Sequence, residues 1–130
     1  MTYAITVRVA APFAETVERV RTALEKEGFG VLTEIDARAT LREKLGEQME
    51  DYLILGACNP PLAHRALGVD REIGLLLPCN VVVRGDSPGT TLVQALDPQT
   101  MVQITGRSQL AEVADEATSR LRAALATLGS

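Results

Sequence analysis

Asn80-Val81-Val82-Val83-Arg84-Gly85-Asp86-Ser87-Pro88-Gly89-Thr90-Thr91-Leu92-Val93-Gln94-Ala95-Leu96-Asp97 is the stretch on which the architecture turns. Two runs rich in Val, Leu and Thr, residues 80–84 and 90–97, flank five residues that all favour turns. The pattern predicts two antiparallel strands joined by a five-residue loop, Gly85-Asp86-Ser87-Pro88-Gly89. Strands joined so closely cannot belong to a purely parallel sheet.

Working outward, residues 3–9 place Tyr3, Ile5, Val7 and Val9 against Ala4, Thr6 and Arg8, the period of a half-buried strand. Pro12 suits the first turn of a helix carrying Phe13, Val17, Val20 and Leu24 on one face, with Gly28 as its C-terminal stop. Residues 31–35 read as a second strand. Asp36 caps a short helix whose Ala37, Leu41 and Leu45 share a face and which ends at Gly46. Residues 52–55, extending to Cys58, are apolar enough for a strand buried on both sides. Asn59-Pro60-Pro61 opens a helix through about Leu67, since Asn caps well and proline is tolerated only in a first turn. Residues 73–77 fit a helical turn or a strand, and residues 101–104 form an apolar segment of open type. Residues 108–128 carry the clearest helical stripe: Leu110, Val113, Ala114, Ala117, Leu121, Ala124, Leu125 and Leu128. Strands and helices in this order, with a hairpin near the end, predict an α+β domain built on one mostly antiparallel sheet covered by helices.

At 130 residues the chain fits a single domain, residues 1–130. The aromatics are only Tyr3, Phe13, Phe29 and Tyr52, so aliphatic side chains must fill the core. A net charge of −4, with scattered Arg and Lys, supplies no basic face for a phosphate backbone, which argues against nucleic acid as a partner. No apolar run approaches the ~20 residues of a membrane span, and Arg8 inside the first apolar stretch does not fit a secretory leader. Two cysteines in such a chain point to the reducing cytoplasm, where a structural disulfide is not expected.

Those cysteines sit in near-matching frames, Leu55-Gly56-Ala57-Cys58-Asn59-Pro60 and Leu77-Pro78-Cys79-Asn80-Val81. Cys58 ends one strand and Cys79 begins the next. If the two strands are antiparallel, both thiols arrive at the same end of the sheet; a parallel crossover would separate them. The downstream hairpin favours the first arrangement, and neighbouring sulfurs are expected. Repetition of Cys-Asn suggests that two thiols and two amides meet in one pocket. Cys58 also precedes a helix N-terminus, whose unpaired N–H groups and dipole would favour its thiolate. Asn59 and Asn80 have a plainer role as caps and turn formers, and free cysteine commonly packs as a small hydrophobe. Two thiols and the single histidine, His64, fall short of a structural zinc site. Copper(I), which accepts two thiolates, fits the count better and makes Cys58 and Cys79 the candidate ligands of a soft metal ion. His64 lies one turn beyond Cys58, where a Cys–His pair would activate a thiol, although a lone helical histidine more commonly faces water. Lys44 and Tyr52 precede this region and could line the same pocket. No phosphate loop, dinucleotide motif, nucleophile elbow or metalloprotease helix is present in the sequence.

The strings Gly28-Phe29-Gly30-Val31-Leu32, Lys44-Leu45-Gly46, Tyr52, Ile54-Leu55-Gly56-Ala57-Cys58-Asn59-Pro60, Ala63, Ala66-Leu67, Gly74-Leu75-Leu76-Leu77-Pro78-Cys79-Asn80-Val81 and Asp97-Pro98 closely resemble the bacterial and archaeal family called domain of unknown function 302. That resemblance implies a curved antiparallel sheet with helices, of the TATA-binding-protein-like type, and a homodimer. It carries no agreed activity. Its shared positions fall on Lys44, Tyr52, Cys58, Asn59, Cys79 and Asn80. Three functions compete: a homodimeric domain binding a small ligand or soft metal ion at the Cys-Asn edge; a thiol enzyme of redox or sulfur transfer with Cys58 as thiolate and Cys79 resolving; or a structural dimerisation module with inert, buried cysteines.

Overall fold

Alternating side chains in four of the five strands sort the sheet into one face that is apolar and one that is mixed, whereas the strand Gly30–Asp36 buries none of its residues. The computed structural model describes residues 3–129. In chain order it forms β1 (Ala4–Val9), α1 (Phe13–Lys26), β2 (Gly30–Asp36), α2 (Ala37–Leu45), β3 (Tyr52–Cys58) and α3 (Pro60–Val69), then β4 (Cys79–Ser87), β5 (Thr90–Leu96), α4 (Gln99–Thr105) and α5 (Ala111–Ala126). Short 3₁₀ segments occupy Arg71–Leu76 and Ser108–Leu110. The five strands make one antiparallel sheet in the order β1-β5-β4-β3-β2, as the hairpin required. The α+β class is therefore the one expected. Among the described residues, no helix is long and apolar enough to cross a membrane.

On the apolar face, Ile5 and Val9, Leu53 and Leu55, Val81 and Val83, and Val93 and Ala95 are buried under Val17, Val20 and Leu24 of α1 and Leu121 and Leu125 of α5. A second cluster joins Leu62 and Ala66 of α3, Ile73, Met101 of α4 and Leu110 to Val113 and Ala117. The helix α5 serves both clusters, its N-terminal half the second and its C-terminal half the first. The other face, with Thr6, Gln94, Val82, Tyr52 and Ile54, is half-buried or exposed.

Local chemistry explains most element ends. Gly28 has φ +85° just after α1 and Gly46 has φ +68° at the end of α2, the left-handed stops expected of both. Asp36 accepts a hydrogen bond from the Ala39 N–H at 2.8 Å. Four readings needed the structure. The expected five-residue loop shortens to Pro88-Gly89, because Ser87 still pairs with Thr90. Proline followed by a glycine at φ +78° suits a type II turn. Asp86 drops out of the ladder as a bulge and pairs with Arg8 of β1. Residues 71–76 are 3₁₀ rather than strand, α3 continues to Val69, and residues 99–105 form α4. The apolar stretch inside α4 is shorter than two helical turns, too short to display a period.

Candidate functional site

Antiparallel pairing of β3 with β4 sets Ala57 opposite Cys79 and Gly56 opposite Asn80. Cys58 is the next residue of β3, so the two cysteines arrive at one end of the sheet, one position out of register. Both are half-buried and both line the same recess. Its remaining wall comes from Phe29, Asn59, Leu62, Ala63 and Ala66, from Leu77 and Pro78, and from Met101, Val113 and Ala117. The Leu77-Pro78 peptide is cis. The recess is partly open and its cavity volume is about 30 Å³, room for roughly two water molecules. Organic ligands occupy pockets of roughly 300–1,000 Å³, so this recess suits an atom-sized guest.

Electrostatics within it are simple. No charged side chain lines the recess. Burial pushes the Cys79 thiol above its ordinary value, and the neighbouring Cys58 pushes it the same way. Cys79 therefore resists ionisation unless a cation lies beside it. The expected help from the helix N-terminus is only half realised. Pro60 and Pro61 have no N–H to donate, the Leu62 N–H is taken by the Asn59 side-chain oxygen at 3.3 Å, and the Ala63 N–H by the Asn59 carbonyl at 2.9 Å. The dipole of α3 remains beside Cys58, but its first turn offers the sulfur no free donor.

Asn59 performs the plainer of its two roles. Buried at 8% exposure, it caps α3 and donates from Nδ2 toward the Glu27 carbonyl at 3.5 Å, tying the end of α1 to the start of α3. The idea of two amides beside two thiols fails for Asn80. Successive residues of a strand point to opposite faces, so Asn80 leaves the sheet on the side away from the helices, while Cys79 enters the recess. Tyr52 lies on that open side as well, with Asn80 in a groove that also includes Tyr3 and Gln94. His64 is exposed on α3 and Lys44 is exposed on α2, and neither lines the recess. Among the described residues there is no cluster of three or more His, Cys, Asp or Glu able to hold a metal ion. Any ion bound in the recess would have the two sulfurs as its only side-chain ligands of these types. Sequence patterns left the far wall unseen, because Met101, Val113 and Ala117 reach it only through the packing of α4 and α5.

The family model described as domain of unknown function DUF302 matches residues 5–128. No curated protein matches the chain. Among solved structures, the crystal structure of an uncharacterized conserved protein DUF302 from Bacillus stearothermophilus is 34% identical, with a TM-score of 0.91 over 98% of this chain and 99% of the other.

Proposed function

The chain belongs to the DUF302 family, and within that frame we propose that it is a homodimeric binding domain that holds one soft monovalent cation, of the copper(I) type, between Cys58 and Cys79. The observation that carries this reading is a small apolar recess in which two cysteines are neighbours and no carboxylate or imidazole takes part. Thiolate ligands select soft ions, and copper(I) needs no more than two, whereas zinc almost always takes four. Binding would release both thiol protons and leave one net negative charge beside the N-terminus of α3, whose dipole favours an anion.

Support for the dimer comes from the β2 and α2 region. The nine residues of α2 include none that is buried, and helices of that length are not stable alone in water. Leu32, set outside the ladder by a bulge in β2, Ile35, Leu41 and Leu45 are all exposed there. Arg42, Glu43, Lys44 and Glu47 show no ion pair among the described residues. A surface that is apolar and carries unpaired charges of both signs complements itself across a two-fold axis.

Anaerobic titration against copper(I) held by a chromophoric chelator tests the cation. The chain should withdraw one ion per protomer, and Cys58→Ser and Cys79→Ser should each abolish the withdrawal. Wild type and both variants leaving the chelator equally loaded would refute the reading.

A further inference from the structure

The open face of the sheet has a polarity gradient that no part of the thiol site explains. At one end lies Arg84, which donates from Nε to the Gln94 side-chain oxygen at 3.1 Å and has no carboxylate partner among the described residues. Gln94 passes the chain on, donating from Nε2 to Thr6 Oγ1 at 3.2 Å. The nearby carboxylates are engaged elsewhere, Asp51 with Arg38 and Asp86 with Arg8. Tyr52, the register partner of Arg84, begins a groove of about 480 Å³ that runs past Asn80 and Val82 to Leu96 and Tyr3. Leu96 and Tyr3 also line a second groove of about 340 Å³, whose other walls include Leu76 and Ile104. Ile104 is 68% exposed and Tyr3 70%. Arg84 lines neither groove but flanks the first through its bond to Gln94. From that guanidinium the open face passes as a trough through amide and phenol groups to a mainly apolar end that also carries Thr100 and Gln103. Each groove is within the size range of a small-molecule site. Neither contains an acidic residue.

We propose that this trough binds an amphipathic monocarboxylate, its head on the Arg84 guanidinium and its aliphatic tail over Leu96, Tyr3 and Ile104. The free N–H groups of Arg84 match a carboxylate. The tail would cover apolar surface that is otherwise in water. From Arg84 to the level of Leu96 is four residues along the strand, about 13 Å, the reach of a medium-length chain. The site lies on the sheet face away from Cys79 and is independent of any ion in the recess.

Isothermal titration of the full chain with decanoate, and with 1-decanol as the uncharged probe, tests it. Decanoate should bind with one molecule per chain. Arg84→Gln should weaken decanoate about tenfold or more, the scale of one charge-assisted hydrogen bond, and leave decanol unchanged. Arg84→Lys should retain decanoate within a few-fold, and Ile104→Ser should weaken both probes. Failure of the wild type to bind decanoate overturns the proposal, as does equal binding by Arg84→Gln. Binding that occurs only when the protein dissociates, measured by sedimentation at the same concentrations, would assign the face to a second copy and overturn it too.

Discussion

Gly56 lies outside the recess but shows how a single atom bears on the residue that leads into it. A methyl group on it would fall against Thr33 Oγ1 and within 2.8 Å of Pro78 Cγ, the residue that leads into Cys79. Gly56→Ala should therefore destabilise the chain by about 1–3 kcal/mol, the usual range for overpacking, which urea denaturation would measure. It should also alter the alkylation rate of Cys79. The thiol itself gives a pH signature. Because burial and Cys58 raise the Cys79 value in the folded state, the folded chain holds that proton when the unfolded chain has begun to lose it. The associated stability is complete below the ordinary thiol value and falls as pH rises through it toward the folded value. As pH rises past the ordinary thiol value of about 8.5, wild type should thus lose more stability than Cys79→Ala; parallel losses in the two proteins would show that the environment of Cys79 exerts no such effect. In contrast, Glu116 is held low by hydrogen bonds from Arg65 and Arg120. Its contribution is present above the ordinary carboxylate value and lost as acid protonates it, so Glu116→Gln should flatten the acid limb.

Elements carry the next level, and α3 is the one that positions the site. Its start depends on Asn59, which satisfies the Leu62 N–H directly behind two prolines that need no acceptor. Asn59→Ala should cost about 1 kcal/mol, the typical value of a lost cap, and somewhat more through the bond to the Glu27 carbonyl. Asn59→Asp, which retains the cap, should recover most of the loss by thermal denaturation; equal loss in both variants would contradict the capping account. This element was legible in the sequence because capping chemistry is local: Asn59-Pro60-Pro61 states the start of a helix without reference to the rest of the chain. The strand alternation and the stripe of α5 were legible for the same reason. What was not legible depends on contacts distant in sequence. The far wall of the recess is such a case, since Met101, Val113 and Ala117 reach it only through packing. The expectation of two amides in the pocket failed for a different reason, because it followed the repeated Cys-Asn pair and not the local alternation that turns Asn80 to the other face. The turn at Pro88-Gly89 was hidden because Asp86, a turn former by composition, becomes a bulge once Arg8 of β1 is beside it.

At the scale of the molecule, one sheet separates two surfaces of different chemistry. The helix side encloses the cysteine recess, and the open side presents Arg84 and the exposed apolar groove. A third surface, around α2, is apolar and unpaired in charge, and it is there that the dimer is expected to form. Leu41→Glu combined with Leu45→Glu should halve the mass seen by light scattering while far-ultraviolet circular dichroism stays close to wild type; a wild type that is already monomeric at tens of micromolar would remove the dimer. The most direct measurement concerns the recess. X-ray absorption at the copper edge, recorded on the copper(I)-loaded chain, counts the atoms bound to the ion. Two sulfur neighbours with no nitrogen or oxygen in the inner shell is the result the paired cysteines predict. A shell containing nitrogen or oxygen, or one that is unchanged in Cys79→Ser, would contradict it.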